Sequence, residues 1–308
     1  KNFIQQLRTS KRILQVKISD FRKNPPIFVY SMPKSGTSTI WMTLGELTSN
    51  NIYKLHRLSD EGLMLSREKR KTKKMRKLID ITSVSFLVRE KIDQNPDVCW
   101  QIVTSTREPV AQAISELFQG IGTHHPYLLT DKETVNVDKV IQFLQNKLST
   151  FDEHEEPEKS WYSMVWFDWE LNPLFDVDVY SQPYRHDQGY MIFQNSRARV
   201  LLVRAEDLNR SFNAALKEFL NRSGSIEMRQ ANLASNKEYR EEQKFYDAYR
   251  YVKSHFKVPY EVCEKIYSTK YARHFYTEEE RASFIKKWSS STPVTKLHES
   301  ALVEGALE

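Results

Sequence analysis

Short apolar runs alternate along the chain with longer stretches in which apolar positions recur at helical spacing. Three runs, at residues 27–31, 98–106 and 198–204, place apolar side chains on both faces and predict buried strands. Helical spacing follows each of them, over residues 37–47, 107–119 and 211–224. Strands that alternate with helices form βαβ units. The pattern therefore predicts an α/β fold of three layers, with a central, mainly parallel sheet flanked by helices.

Further elements extend this pattern toward both ends. Residues 1–21 predict a helix, which an Asn-Pro-Pro sequence separates from the first strand. The stretch "NIYKLHRL" predicts a second strand that ends near His56, and a basic helix follows it. Gly224 is predicted to close the helix that begins at residue 211.

The charge balance favours an anionic partner. The formal net charge is +6 and the isoelectric point is about 9.0. The basic excess is concentrated between Arg67 and Lys77, which predicts either a solvated helix face or a rim that attracts an anionic substrate. No aromatic residues interleave with these charges, so no nucleic acid partner is expected.

The sequence contains no run of about 18 apolar residues and predicts no membrane span. This observation leaves peripheral membrane contact open, and the oligomeric state is open as well. The two cysteines, Cys99 and Cys263, show no metal-ligand spacing and are predicted to be reduced thiols. Together these features predict a cytoplasmic protein.

The sequence "PKSGTST" (residues 33–39) joins the first strand to the helix that follows it. Backbone N–H groups at a helix N-terminus favour an anion, and Gly36 lets the backbone approach it closely. The hydroxyl groups of the loop supply further donors, and they belong to Ser35, Thr37, Ser38 and Thr39. A capped turn without a ligand would explain these hydroxyl groups, but it would not explain Lys34. The loop is therefore predicted to bind an anion.

A second motif, "TSTREPVAQAIS", lies at the end of the third predicted strand. Arg107 ends the strand, and Ser115 follows about two helical turns later. An arginine fork and a hydroxyl group can hold a phosphate from one side. An ion pair between Arg107 and Glu108 is the alternative interpretation. Because the carboxyl ends of parallel strands meet at one edge of a sheet, both motifs are expected there.

The two motifs resemble those of sulfotransferases that depend on PAPS, 3′-phosphoadenosine 5′-phosphosulfate. The loop is similar to their 5′-phosphosulfate loop, and Arg107 with Ser115 is similar to their 3′-phosphate motif. The resemblance implies a P-loop-like fold, PAPS as the donor, PAP as the product and no metal. It also implies that Lys34 stabilises the bridging oxygen during catalysis. The residues that it implies for cofactor binding are Lys34, Ser35, Gly36, Thr37, Ser38, Thr39, Arg107 and Ser115.

Three later stretches, "KSWYSMVWFDWELNPLFDVDVY", "VLLVRAEDL" and "IYSTKYARHFYTEEE", resemble a bacterial family of capsular polysaccharide synthesis proteins known for an Asn-Lys-Trp-Tyr-Ser motif. The chain departs from that motif at Lys159 and Ser160. The resemblance implies a saccharide or another surface glycan as the acceptor. The residues predicted to bind it are Trp161, Tyr162, Trp166 and His186. A helix whose rings fill the core is the alternative interpretation for most of the aromatic side chains.

The acceptor hydroxyl needs a base. His56 is the first candidate, because it ends the second strand and should open onto the same edge of the sheet as the loop. A structural hydrogen bond at the strand end is the alternative role. His186 and Glu108 are the other candidates for the base. Glu206 and Asp207 of the sequence "RAEDL" are expected to be structural.

The sequence thus predicts a sulfotransferase that transfers the sulfuryl group of PAPS to a saccharide hydroxyl. The alternatives are a sulfotransferase-like protein without activity that binds a nucleotide or polyanion, and, less favoured, a nucleotide-dependent kinase. Neither a Walker sequence nor a Mg²⁺-binding Asp is recognisable. Residues 1–288 are predicted to form one domain, with an N-terminal helix at 1–24, the cofactor-binding core with acceptor-site insertions at 26–210, C-terminal helices at 211–288 and a loosely attached tail at 289–308.

Overall fold

The computed structural model describes residues 2–72, 81–131, 133–152, 161–224, 226 and 245–290. It confirms the predicted class: the protein is α/β, with a five-stranded, mostly parallel central sheet flanked by helices. The strands are β1 (Ile27–Tyr30), β2 (Ile52–Leu55), β3 (Trp100–Thr106), β4 (Tyr190–Gln194) and β5 (Ala198–Arg204).

Helices follow β1, β2, β3 and β5, as predicted. Those of the described residues are α1 (Asn2–Ile18), α2 (Thr37–Leu47), α3 (Asp60–Thr72), α4 (Ile81–Asp93), α5 (Pro109–His124), α6 (Val137–Ser149), α7 (Tyr162–Trp166), α8 (Asn172–Phe175), α9 (Leu208–Leu220), α10 (Tyr246–His255), α11 (Tyr260–Tyr267), α12 (Lys270–Phe275) and α13 (Glu278–Trp288). One turn of π-helix, Phe167–Leu171, lies between α7 and α8. The helix predicted over residues 37–47 is confirmed as α2 with the same bounds.

The end of α9 differs from the prediction. The helix stops at Leu220, and Asn221 takes the left-handed conformation with φ 50°. The N–H of Arg222 then donates to the carbonyl of Lys217 at 2.9 Å, which closes the helix. Asn tolerates positive φ better than most other residues, so Asn221 can make the turn that ends the helix. The prediction that Gly224 closes the helix is therefore wrong.

The strand order in the sheet is β2-β1-β3-β5-β4. β1 pairs in parallel with β2 and β3, and β3 pairs in parallel with β5. β4, which the sequence pattern did not reveal, runs antiparallel to β5 and forms one edge. A tight hairpin joins these two strands, since the N–H of Asn195 donates to the carbonyl of Ala198 at 3.0 Å. The carboxyl ends of the four parallel strands lie along one border of the sheet, which we call its carboxyl edge and which differs from the outer strands β2 and β4. Ligands bind there in open α/β sheets.

Both faces of the sheet are covered, as the side chains of β1 show. Ile27 and Val29 belong to a buried cluster with residues of α2 and α9 on one face. Phe28 and Tyr30 point to the other face, because side chains alternate along a strand. The rings that pack there are Phe21, Tyr53 and Trp100 around Phe28, and Trp166 and Phe175 around Tyr30. Each fully buried side chain of this size contributes about 1.5–3 kcal/mol, so β1 is firmly fixed between the two layers.

The chain divides into two compact units. The first comprises residues 1–108 and 152–240 and contains the whole sheet. The second comprises residues 109–151 and 241–308. The prediction of a single domain over residues 1–288 stays a prediction.

The described part of the second unit is mainly helical. Phe118 of α5 packs edge to face on Tyr249 of α10, with ring centroids 5.5 Å apart. α13 begins with a capping box, in which the Thr277 side chain accepts the N–H of Glu280 and the Glu280 carboxylate accepts the N–H of Thr277. A capping box satisfies two N–H groups that would otherwise lack a partner at the start of a helix.

Within the described ranges, no helix is both long and apolar enough to cross a membrane. Of the predicted basic run, the Arg67 guanidinium lies 4.5 Å from the centre of the Phe86 ring. The part of the run at residues 73–77 lies outside the described residues. So do residues 159–160, where the chain departs from the Asn-Lys-Trp-Tyr-Ser motif, and residues 291–308 of the predicted tail.

Candidate functional site

The loop between β1 and α2 enters the left-handed region of backbone conformation twice. Lys34 has φ 66° and Gly36 has φ 88°, and Gly36 is the N-cap residue of α2. The positive φ at Gly36 is strained for any other residue, and a Cβ atom there would also lie 2.6 Å from Cδ1 of Leu208, so the position favours glycine. At Lys34 the same conformation costs about 1–2 kcal/mol, and such strain clusters at functional sites. This geometry makes the loop a candidate site.

Three buried hydroxyl groups fasten the loop to the sheet, and we call Ser31, Ser35 and Ser105 the serine cluster. Oγ of Ser35 lies 3.0 Å from Oγ of Ser31, accepts from Oγ of Ser105 at 2.9 Å and donates to the carbonyl of Met32 at 2.8 Å. Oγ of Ser31 donates to the carbonyl of Ser105 at 2.6 Å and accepts its N–H at 3.1 Å. The Ser35 side chain is thus used inside the protein, and its predicted contact with a cofactor stays a prediction.

Arg107 connects the end of β3 to the loop. Its Nη1 donates to the backbone carbonyl of Lys34 at 2.8 Å. Nearby, the carboxyl group of Glu206 accepts the N–H of Glu108 at 2.8 Å, a structural role of the kind predicted. The predicted contact of Arg107 with a phosphate stays a prediction.

A further cation reaches the loop from β2. Nζ of Lys54 donates to Oγ of Ser38 at 3.2 Å, in the first turn of α2. Burial lowers the pKa of Lys54, and the positive charges of Arg12 and Lys34 lower it further. The ammonium groups of Lys34 and Lys54 thus both place positive charge near the loop, which favours binding of an anion. The sequence motifs did not reveal Lys54, although a lysine inside a predicted strand is a signal that could have.

His56 follows β2 and is tied to the end of β1. Its Nδ1 lies 2.6 Å from the backbone carbonyl oxygen of Ser31. A carbonyl oxygen only accepts, so Nδ1 carries a proton and the lone pair of the neutral ring is on Nε2. The carbonyl of His56 in turn accepts Nε1–H of Trp166 at 2.9 Å. The hydrogen bond at the strand end is present, and its tautomer is the one that a base acting through Nε2 requires.

The buried carboxyl group of Glu170 fixes the chain that follows His56. Its four donors are the N–H groups of Leu58 (2.8 Å) and Ser59 (2.9 Å) and the hydroxyl groups of Tyr30 and Tyr162. We call Glu170 with these four donors the Glu170 clamp. A Cβ atom at Gly62 in α3 would lie 1.8 Å from Oε1 of Glu170, so glycine is required beside it. Burial raises the pKa of Glu170 in spite of the four hydrogen bonds.

The position of Glu170 is itself unusual. It lies in the π-helical turn between α7 and α8, and such turns occur frequently at functional sites. From the sequence alone, this residue was only a carboxylate among aromatic side chains. Its partners could not be inferred, because Tyr30 is separated from it by 140 positions and Leu58 by 112.

The aromatic residues predicted to bind a saccharide lie largely inside the protein. Trp161 and Trp166 are buried, and the Trp166 ring packs on Tyr30 with centroids 4.7 Å apart. Tyr162 is half-buried, and the guanidinium of Arg57 lies 4.9 Å from the centre of its ring. Packing in the core accounts for Trp166, and the predicted saccharide contacts of these side chains stay predictions.

The remaining predicted residues occupy three other places. Thr37 is buried and Thr39 half-buried in the first turn of α2. His186 is half-buried before β4, where its carbonyl accepts Nη2–H of Arg210 at 3.1 Å. Ser115 lies in α5, which belongs to the second unit. In the described ranges, no group of three or more His, Cys, Asp or Glu residues could hold a metal ion, and the expected independence from metal stays a prediction.

The fold and the loop define an α/β protein with a candidate anion site at the carboxyl edge of its sheet. Residues 135–277 match a family described as "Putative capsular polysaccharide synthesis protein". The match covers somewhat less than half of the chain, including Glu170, β4 and β5, and it excludes the loop, His56 and Arg107. No curated protein and no solved structure matches the chain. The family match thus applies to the segment whose Glu170 and Trp166 fix the backbone around His56. The candidate anion site at the loop is supported by its geometry and not by this match.

Proposed function

We propose that the protein is an enzyme, a sulfotransferase that moves the sulfuryl group of PAPS to a hydroxyl group of a saccharide. The observation that supports it most is the loop between β1 and α2. There the backbone of Lys34 is in the left-handed conformation, and the N-terminus of α2 and the ammonium group of Lys54 lie beside it. These groups suit an anion at the carboxyl edge of a parallel sheet. The resemblance of the loop to the sulfotransferase motif supplies the choice of PAPS and of a P-loop-like fold.

The residues of the loop fit such a donor. The N–H groups at the start of α2 and the hydroxyl group of Ser38 would hold the 5′-phosphate, and Arg107 would hold the 3′-phosphate. The participation of Ser115 rests on the resemblance to the sulfotransferase motif alone. An arginine offers five N–H donors, so the bond from Arg107 to the carbonyl of Lys34 does not by itself exclude a phosphate. When bound, PAPS supplies an activated sulfuryl group.

In the proposed reaction, the acceptor oxygen forms a bond to sulfur while the bond from sulfur to the bridging oxygen of the donor breaks. The hydroxyl proton goes to Nε2 of His56, whose Nδ1–H is held by the carbonyl of Ser31. The electrons of the broken bond go to the bridging oxygen, and the ammonium group of Lys34 stabilises the charge on the departing PAP. The Glu170 clamp and the bond from Trp166 keep the backbone around His56 in position.

The choice of a saccharide acceptor rests on the family match, whose description names capsular polysaccharide synthesis. The matched segment contributes Glu170 and Tyr162 to the clamp, so it is physically connected to the candidate base. A surface glycan with free hydroxyl groups is therefore the acceptor that we propose.

Ligand-dependent thermal stability tests the donor. A ligand at about 100 times its Kd should stabilise the fold by about 2.7 kcal/mol. We expect selective stabilisation by PAP over AMP, ATP with Mg²⁺, and a polyanion. A preference for ATP would instead indicate a kinase. Binding of PAP without transfer to any glycan of a broad acceptor panel would indicate an inactive nucleotide-binding protein.

Replacement of Lys34 separates catalysis from binding. Lys34→Ala should lower turnover by about 10²–10³-fold, because the departing oxygen loses its cation, while the Kd for PAP changes less than about tenfold. Lys23→Ala, at an exposed lysine before β1, is the matched control and should change neither. A loss of PAP affinity that accounts for the whole loss of turnover would make Lys34 a phosphate anchor instead.

Replacement of His56 tests the base. His56→Ala should lower turnover by about 10²–10⁴-fold, because the acceptor hydroxyl group loses its proton acceptor. A His56→Ala variant that retained most of its turnover would exclude this residue and direct attention to His186 and Glu108.

A further inference from the structure

A cavity of about 260 Å³ lies beside the edge strand β2, away from the strand pairing. It is lined by side chains of α1, α2, α4, β2 and the turn that precedes β2. Small-molecule pockets typically enclose about 300–1,000 Å³, whereas a single water occupies about 30 Å³ of liquid. The cavity is therefore larger than a bare ion needs and is close to the size of a pocket for one ring-sized group.

Two cations line this cavity, and they lie close enough for their charges to interact. Arg12 comes from α1 and Lys54 from β2, and their charges interact unfavourably. The described residues that line the cavity include no Asp or Glu. In the described part of the chain, no carboxylate forms an ion pair with either side chain.

The protein holds both cations in place. The Arg12 guanidinium lies 5.7 Å from the centre of the Trp41 ring, and Nε1–H of Trp41 donates to the carbonyl of Ile52 at 3.3 Å. Lys54 is half-buried in its strand, with Nζ on Oγ of Ser38 at 3.2 Å. An anion between two fixed, partly desolvated cations would form charge-assisted hydrogen bonds and offset their mutual repulsion.

The rest of the lining combines neutral polar residues with apolar ones. Gln15, Thr48 and Asn51 contribute amide and hydroxyl groups, and Nε2 of Gln15 donates to Oδ1 of Asn51 at 2.6 Å, which orients both amides. Ile52 and Val84 contribute apolar surface. Oriented amides together with apolar side chains suit a sugar ring, which presents hydroxyl groups and C–H faces.

We propose that this cavity binds an acidic saccharide, with its sulfate or another anionic substituent between Arg12 and Lys54 and its hydroxyl groups on the neighbouring amides. The inference that an anion binds depends only on the residues that line the cavity, whereas the choice of a saccharide rests on the proposed function. The site differs from the loop, because its defining cation is Arg12 rather than Lys34. A protein that handles a growing acidic glycan would gain a second point of attachment for the chain in this way.

Binding of small probes to the full chain tests this site without measuring turnover. The probes are a disaccharide with one sulfate, its unsulfated counterpart, inorganic sulfate and PAP. The sulfated disaccharide should bind at least about tenfold more tightly than the other disaccharide and than inorganic sulfate. Arg12→Gln and Lys54→Met should each weaken it by at least about tenfold, whereas Lys23→Met and Lys34→Ala should change it less than threefold.

The stability of the unliganded protein gives a second measurement. Lys54→Met removes a partly buried charge and keeps the apolar stem, so its Tm should equal or exceed that of the parent chain. Affinity for the sulfated disaccharide would fall while stability did not, which misfolding cannot imitate.

Several results would overturn the proposal. Unchanged affinity in both Arg12→Gln and Lys54→Met would remove the site, and a loss in Lys34→Ala as large as in Lys54→Met would assign the anion to the loop. Equal affinity for inorganic sulfate and the sulfated disaccharide would show that the saccharide part of the ligand contributes nothing to binding. Failure of the proposed sulfotransferase function would appear separately, as absence of PAP binding.

Discussion

The two polar clusters at the carboxyl edge of the sheet begin at adjacent residues, yet they are built differently. Tyr30 belongs to the Glu170 clamp and Ser31 to the serine cluster, and their side chains point to opposite faces of the sheet. The clamp contains an ionisable carboxyl group with four donors, whereas the serine cluster contains only neutral hydroxyl and backbone groups. Breaking a buried charged network costs about 3–5 kcal/mol, and leaving a neutral group unsatisfied costs about 1–3 kcal/mol.

The difference teaches which part of the edge is held rigidly. The chain after His56 is fixed by a buried carboxyl group with four donors, whereas the loop that would receive the anion is fixed by the neutral serine cluster and by part-buried bonds from Arg107 and Lys54. In the proposed reaction, this division suits a base that is positioned in advance and a loop that adjusts to its ligand.

The largest expected effect is the loss of the clamp. Glu170→Ala leaves two N–H groups and two tyrosine hydroxyl groups without their acceptor in a buried site, so the free energy of unfolding should fall by about 3–5 kcal/mol. Urea unfolding of both proteins measures it. Glu218→Ala is the control, because the exposed Glu218 carboxylate also accepts a tyrosine hydroxyl, at 2.7 Å from Tyr190, and should cost no more than about 1 kcal/mol. Equal losses in the two variants would contradict a special role for the clamp.

The next effect concerns the backbone of the loop. Gly36→Ala places a Cβ atom where φ is 88° and where Cδ1 of Leu208 would be 2.6 Å away, so unfolding should become easier by about 1–3 kcal/mol. Gly45→Ala, in the same helix, is the control: its Cβ atom would meet nothing within 4 Å, and it should stabilise by about 0.5–1 kcal/mol. Thermal and urea unfolding of the pair decide the point. A Gly36→Ala variant as stable as Gly45→Ala would show that the loop tolerates another conformation.

The sequence predicts the strands and helices around the two clusters better than it predicts the side-chain contacts within them. The strands β1, β3 and β5 and the helix α2 could be predicted, because their apolar patterns are local. β4 could not, since an antiparallel edge strand depends on its hairpin with β5 rather than on its own pattern. The loop was visible through Lys34 and Gly36, whose order in the motif is also local. Lys54 and Glu170 were not, because a polar residue in an apolar stretch reveals a burial problem but not the distant groups that solve it.

The pH dependence of stability distinguishes the ionisable cluster from the neutral one. Burial raises the pKa of Glu170 above its ordinary value, so between these two values the folded protein binds a proton that the unfolded chain has released. The stabilising contribution of this group is complete below the ordinary value and is lost as the pH rises through the folded one. Relative to Glu170→Gln, the parent chain should therefore lose stability with rising pH, by at most about 1.4 kcal/mol per pH unit. Urea unfolding at half-unit steps from about pH 4 upward measures the difference. A difference that grew in favour of the parent chain would show that the four donors outweigh burial.

The smallest effect is expected in the serine cluster. Ser35→Ala and Ser105→Ala should each cost about 1 kcal/mol, because each removes one neutral hydrogen-bonding group. The two hydroxyl groups share a bond and the same neighbour, so the double variant should deviate from additivity by at least about 0.5 kcal/mol. Ser35→Ala combined with Ser181→Ala is the control, because Ser181 is exposed and bonds to the carbonyl of Asp178 instead. Urea unfolding of the two cycles gives both coupling energies. Additivity in the first cycle would mean that Ser35 and Ser105 act independently, and the loop would then be joined to β3 mainly through Arg107.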